Sequence, residues 1–261
     1  MNYKENLTLK IFNTVMFLGT IFTNFFVING FGSLKPIGNI SNEYNTLLTP
    51  PDWAFSIWGL IYSGLLLFNI CQFFPQLGLN QEVTNIGPIF VISCLFNIAW
   101  IFTFSVGTKY SILISVFIIL GLLISLFFIQ DRVKFFDSNS SIYKILFVDI
   151  PFSIYLGWVI TASIVNIGTS IRAFNIDVDY KNIFYIVMLI LALFIYVFIL
   201  TKRNNYGSYV VFIYVLISLI IKHKDNNLLI SYTVTILIFV IIFLVMKIFL
   251  PICLDNNYYK K

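Results

Sequence analysis

An all-α, polytopic membrane-helix bundle is predicted by three features of the chain: its composition, the length of its apolar runs and the polarity of the gaps between them. Of 261 residues, 59% are hydrophobic and 10% charged, and the mean hydropathy is +0.94, well beyond what a soluble domain carries. Eight runs approach the ~20 apolar residues that a spanning helix needs. Runs of this kind read as helices, because lipid leaves an open strand edge unpaired.

The first run, about residues 11–31, follows Lys4 and Lys10. It is long for the apolar region of a signal peptide and no small-x-small site follows it, so it reads as a spanning helix. The longest link, 32–52, carries Gly32, Pro36, Gly38, Pro50 and Pro51. Two prolines at its end stiffen the entry into the second run, 53–74. The third, fourth and fifth runs cover 86–106, 110–130 and 143–168, and the last three cover 182–201, 207–222 and 228–252. The seventh is short and only residues 201–205 separate it from the sixth, so a seven-helix count stays open beside the preferred eight.

Eight crossings put both termini on one side. Lys4, Lys10, Arg132, Lys134, Lys144, Lys202, Arg203, Lys247, Lys260 and Lys261 fall there, against Lys35, Lys109, Arg172, Lys181, Lys222 and Lys224 opposite. The excess of basic residues places the termini in the cytoplasm. No internal repeat is visible, so an inverted-repeat transporter design has no support in the sequence.

The formal charge of +5 is scattered through the gaps rather than gathered in a stripe, which argues against a nucleic-acid partner. Cys71, Cys94 and Cys253 share no metal-binding or redox spacing and lie within or at the ends of apolar runs. They read as small buried hydrophobes. The single histidine, His223, sits between Lys222 and Lys224 and reads as a solvated loop residue. No metal site and no cofactor is therefore expected, since the helical core offers no histidine to ligate iron. No nucleophile elbow, phosphate loop or zinc-protease motif is present, so an enzyme is not expected.

All four tryptophans fall in three motifs: Pro50-Pro51-Asp52-Trp53-Ala54-Phe55-Ser56-Ile57-Trp58-Gly59-Leu60-Ile61-Tyr62, Asn97-Ile98-Ala99-Trp100, and Pro151-Phe152-Ser153-Ile154-Tyr155-Leu156-Gly157-Trp158. Asn97, Trp100 and Phe104 share one helix face, as do Pro151, Tyr155, Trp158 and Ala162. Asn97 and Asn166 are costly against lipid and are expected to face the bundle. Gly59, Gly64, Gly157 and Ala162 are small enough for close approach. Together these residues predict a bundle cavity walled by indole and phenol rings, suited to a large planar hydrophobic molecule. Trp53, at the mouth of the second helix, fits an interfacial belt as well as a ligand lid. Asp149 is the only carboxylate well inside a run. It reads either as a functional intramembrane acid or as a headgroup-level acid near a helix N-terminus. Asp52 reads first as a helix-start acid.

These motifs resemble the TspO/MBR tryptophan-rich sensory proteins, the family of the translocator protein, and in particular a longer branch with extra C-terminal helices. Pro50, Pro51, Trp53, Trp58 and Tyr62 look like its second-helix pattern, with one residue fewer than usual between the two tryptophans. Asn97, Trp100 and Phe104 look like the third-helix pattern, and Pro151, Tyr155, Trp158, Ala162 and Asn166 like the fifth. The resemblance covers about residues 11–168. It implies a TspO-like five-helix domain over 1–170, followed by about three helices of unknown role over 171–261. It also implies a receptor or carrier for a porphyrin or sterol-like ligand, with Trp53, Trp58, Tyr62, Asn97, Trp100, Tyr155, Trp158, Ala162 and Asn166 around it. Membrane lipid is the other expected partner and a homodimer stays open. The family's sterol motif after the fifth helix is not matched, because residues 166–172 hold no tyrosine. The alternative is a secondary transporter or channel for a small solute or ion that uses Asp149.

Overall fold

The computed structural model describes residues 3–30, 32, 34–176 and 181–258. The side chains of Lys4, Lys181 and Cys253, and residues Lys260 and Lys261, lie outside the described residues. The described residues form helices and irregular links, with no strand among them. In chain order the helices are α1 (Tyr3–Ile28), α2 (Ile37–Glu43), α3 (Ile57–Cys71, entered by a 3-10 turn, Asp52–Ser56), α4 (Asn80–Ile86), α5 (Ile89–Ser105) and α6 (Lys109–Val133). They continue with α7 (Ile142–Lys144), a π-helical turn (Ile145–Asp149), α8 (Ile150–Ala173), α9 (Lys181–Arg203), α10 (Tyr206–Lys222) and α11 (Asn227–Tyr258).

The eight apolar runs correspond to α1, α3, α5, α6, the α7–α8 unit, α9, α10 and α11. Among the described residues six helices are long and apolar enough to cross a membrane, or seven if α4 and α5, bent by 57° at their junction, count as one span. The bend sits at Gly87, whose φ of +55° favours glycine, and at Pro88, which cannot donate a backbone hydrogen bond. The remaining helix, α10, has 17 residues, about 25 Å of rise against a hydrocarbon core of about 30 Å.

Local chemistry fixes the boundaries. Thr108 Oγ1 accepts the Ser111 N–H at 3.2 Å and Ser111 Oγ accepts the Thr108 N–H at 3.0 Å, a reciprocal cap that starts α6. Ser141 Oγ accepts the Lys144 N–H at 3.1 Å and Asn205 Oδ1 accepts the Ser208 N–H at 2.9 Å, capping α7 and α10. Pro151 has no N–H to give to the turn before it, and that turn widens into the π segment Ile145–Asp149.

The α7–α8 unit is the axis of the bundle. Its apolar window is 67% buried against 22% for α11, because α8 packs on α3, α6, α9 and α10. Two glycines on close-packed faces make this density possible. A Cβ at Gly157 would lie 2.8 Å from Ser208 Cα of α10, and one at Gly64 of α3 would lie 3.1 Å from Pro151 Cβ. Gly59, expected at a contact, has nothing within 4 Å of that position. It faces outward on the exposed side of α3.

The C-terminal helices are fastened to the preceding body. Tyr196 of α9 donates to Gly157 O and lies 2.9 Å from Thr161 Oγ1, and Tyr214 of α10 donates to Ala54 O at 3.1 Å. Packing among α9, α10 and α11 then buries Tyr185, whose hydroxyl lies 2.7 Å from Thr233 Oγ1.

Candidate functional site: an aromatic crevice between α3, α5 and α8

Trp58 is the hub of the aromatic side chains. Its ring centroid lies 5.3 Å from Tyr62, 6.1 Å from Trp100, 6.2 Å from Tyr155 and 6.2 Å from Trp158. The Tyr62 ring is stacked at 20°, whereas Trp158 meets Trp58 edge to face at 85°, both favoured ring geometries. Trp100 also stacks on Phe104 at 5.4 Å, and Phe55 meets Trp158 edge to face at 5.9 Å. These contacts arise because α3, α5 and α8 each turn an aromatic stripe toward a common line.

The rings enclose a small crevice of about 20 Å³, room for about one water. Trp58, Trp100, Phe104 and Trp158 line it with Phe55, Pro50, Ala162 and Asn166. None of its lining residues is ionisable. Phe55 and Trp58 are half-buried whereas Trp100 and Trp158 are buried, so the outer wall is the 3-10 turn and first turn of α3.

Asn97 and Asn166 face the bundle, and both are engaged there with side chains of other helices. Asn97 Nδ2 donates to Tyr155 OH at 2.7 Å, and Tyr62 OH donates to Asn97 Oδ1 at 3.4 Å. Asn24 Nδ2 of α1 extends the chain by donating to Tyr62 OH at 2.7 Å. Asn166 Oδ1 accepts from Trp100 Nε1 at 2.7 Å and from Ser115 Oγ of α6 at 3.1 Å. Burial explains the pattern, since an unpaired amide in an apolar interior costs several kcal/mol. Trp158 breaks it: its indole is 1% exposed and Nε1 has no hydrogen-bond partner.

The structure thus brings Trp58, Tyr62, Asn97, Trp100, Tyr155, Trp158, Ala162 and Asn166 together. Trp53 stays apart. It is 46% exposed and packs edge to face on Tyr214 of α10 at 5.7 Å, as a belt residue does. Asp149 is also remote from the rings. Its carboxylate is fully buried, accepts Lys144 Nζ at 2.7 and 2.9 Å and accepts the Phe136 N–H at 2.9 Å. This closed pair straps residues 134–141 to the start of the fifth crossing.

His223 departs from its expected role as a solvated loop residue. It is 9% exposed, its Nε2 donates to Leu47 O at 2.8 Å, and its ring meets Tyr185 edge to face at 5.6 Å. Burial holds its pKa below the usual 6.5, against the opposing effect of the Leu47 bond and with a smaller contribution from Lys222. Cys71 and Cys94 are buried free thiols, and no group of potential metal ligands occurs among the described residues. Sequence reasoning missed Asn24 and Ser115, whose roles depend on how α1 and α6 rotate against the core. It also missed a second cavity, beside Arg172, Lys222 and His223, for which no motif gave a signal.

An all-helical membrane bundle in which α3, α5 and α8 converge on a neutral, tryptophan-rich crevice defines the class of protein: a polytopic helical membrane protein with an aromatic core. The family model described as TSPO-like protein matches residues 10–247, and the chain belongs to that family. The match runs well past residue 168, through α9 and α10 and into α11. No match was found among curated proteins or among solved structures.

Proposed function

We propose that the protein is a membrane receptor or carrier for a planar hydrophobic ligand of the tetrapyrrole or sterol-like class, bound between Trp58, Trp100, Tyr155 and Trp158 without covalent chemistry. The observation that carries this reading is the unpartnered Nε1 of Trp158, buried in a ring cluster where the neighbouring indole and both amides are satisfied. A buried donor without an acceptor costs about 1–3 kcal/mol, and a ligand carbonyl, carboxylate or ring nitrogen relieves that cost. The neutral lining supports a hydrophobic body, and ligand entry requires Phe55 and Trp58 to swing outward on the 3-10 turn. Both termini are cytoplasmic in this reading.

Titration of the full chain in nanodiscs with protoporphyrin, followed by tryptophan quenching, tests the proposal. Saturable quenching is expected, with affinity reduced up to about tenfold in Trp158→Phe through loss of one hydrogen bond and unchanged in Trp53→Phe. Linear quenching that is the same in all three proteins overturns it.

A further inference from the structure

A cavity of about 390 Å³ opens beside the C-terminal end of α8, apart from the aromatic crevice. Its volume falls in the range of small-molecule sites, about 300–1,000 Å³. Residues 45–48 of the α2–α3 link form one wall, Gly168, Ile171 and Arg172 of α8 another, and Ile176, Phe184 of α9, Lys222 and His223 the rest.

Its chemistry is two-sided. Leu48, Ile171, Ile176 and Phe184 present hydrocarbon, while Arg172 and Lys222 bring two positive charges, and no described lining residue is acidic. Lys222 Nζ donates to three neutral oxygens, Asn45 Oδ1 at 2.8 Å, Thr46 O at 3.2 Å and Thr49 O at 2.6 Å. Its position is therefore fixed while its charge is met by dipoles alone at contact distance. The carboxylate that acts on it through space, Asp52, accepts a hydrogen bond from Asn42 at 2.9 Å and is not a lining residue. Arg172 is exposed and has no hydrogen bond or ion pair among the described residues. Asp177 and Asp179, the next acids along the chain, lie outside the described residues. A guanidinium presents a planar fork of donors that matches a carboxylate or phosphate in two-point contact.

We propose that this cavity binds a single-chain anionic amphiphile, its carboxylate or phosphate head on Arg172 within the field of Lys222 and its hydrocarbon against Leu48, Ile171, Ile176 and Phe184. The head supplies the charge that the lining lacks, and the tail covers apolar side chains at the rim, where Ile176 is exposed. This site is independent of the ring cluster around Trp58.

The test uses the full chain in phosphatidylcholine nanodiscs, with empty discs as reference, and four probes: oleate, oleoyl lysophosphatidate, oleoyl lysophosphatidylcholine and inorganic phosphate. Saturable binding of one or both anionic amphiphiles is expected, with little binding of the zwitterionic lipid or of phosphate at the same concentration. Preference between oleate and lysophosphatidate then identifies the head group. Arg172→Gln, at an exposed position, is expected to weaken binding about tenfold or more, whereas Trp158→Phe leaves it unchanged. Equal binding by the zwitterionic lipid, no saturable binding of either anion, or equal affinity in Arg172→Gln overturns the proposal. Failure of protoporphyrin binding leaves this result unaffected, so the two sites are judged separately.

Discussion

Trp100 and Trp158 are two buried indoles of one cluster, the first with its N–H bonded and the second without a partner. Replacing either by phenylalanine removes similar ring volume, so the difference between the two variants isolates the bond from Trp100 Nε1 to Asn166 Oδ1. Trp100→Phe is expected to be the less stable by about 1 kcal/mol, measured by reversible denaturation in mixed micelles. Equal stability would mean that the bond to Ser115 alone satisfies Asn166. His223 offers a second comparison. Its folded pKa lies below the ordinary value of 6.5, so on acidification the unfolded chain takes up the proton first. Its contribution to stability is complete above about pH 6.5 and is lost as the pH falls through the folded pKa. Melting temperature is expected to fall as the pH drops below about 6.5, with a shallower fall in His223→Gln, whose amide can still donate to Leu47 O. Identical profiles would place the acid sensitivity elsewhere.

At the level of elements, helices were easy to find because lipid forces long apolar runs, whereas the contacts that orient them are set by partners distant in sequence. The i, i+3, i+7 spacing put Asn97, Trp100 and Phe104 on one face. It could not say that Asn97 would bond Tyr155, 58 residues away, while Asn166 bonded Trp100, 66 residues away. Nor could it separate Gly157, against the α10 backbone, from Gly59, which faces outward. Asp149 shows the same gap between type and context: an acid within an apolar run reads either as a functional charge or as a headgroup-level acid, and spacing alone does not show that the lysine five residues earlier ties it into a local strap. Removing one member of a buried pair strands the other, so Asp149→Asn is expected to destabilise the protein by about 3–5 kcal/mol. Lys144→Met combined with Asp149→Leu is expected to recover most of that loss while protoporphyrin affinity stays unchanged. A double variant as unstable as the single one would show that the carboxylate matters chiefly through the Phe136 N–H.

For the whole molecule, the order of apolar runs made the alternation of the chain legible, and the structure gathers the links into two sets. At one, Lys10 Nζ donates to Asn80 Oδ1 at 2.6 Å and Arg203 pairs with Asp131. At the other, the Lys35 N–H donates to Ser105 O at 2.9 Å and Lys222 holds residues 45–49. The shortness of α10 was legible as the short seventh run, whereas the bend at Gly87 was not, because hydropathy measures length and apolarity but not direction. The alternation has a direct consequence. Asn39-Ile40-Ser41 and Asn139-Ser140-Ser141 are acceptor sequons with exposed asparagines, and α3, the α4–α5 span and α6 lie between them. With α4 and α5 as one span, three crossings place them on opposite sides of the membrane, and the proposed cytoplasmic termini would put Asn39 on the lumenal side. Expressed in a glycosylating host, the protein is expected to carry sugar at Asn39 at most and none at Asn139. A mobility shift abolished by Asn39→Gln supports this orientation, and one that persists in Asn39→Gln but is reduced by Asn139→Gln or by removal of the Asn6-Leu7-Thr8 sequon inverts it. A protein carrying both sugars would break the alternation, because no odd number of crossings leaves both sites on one side.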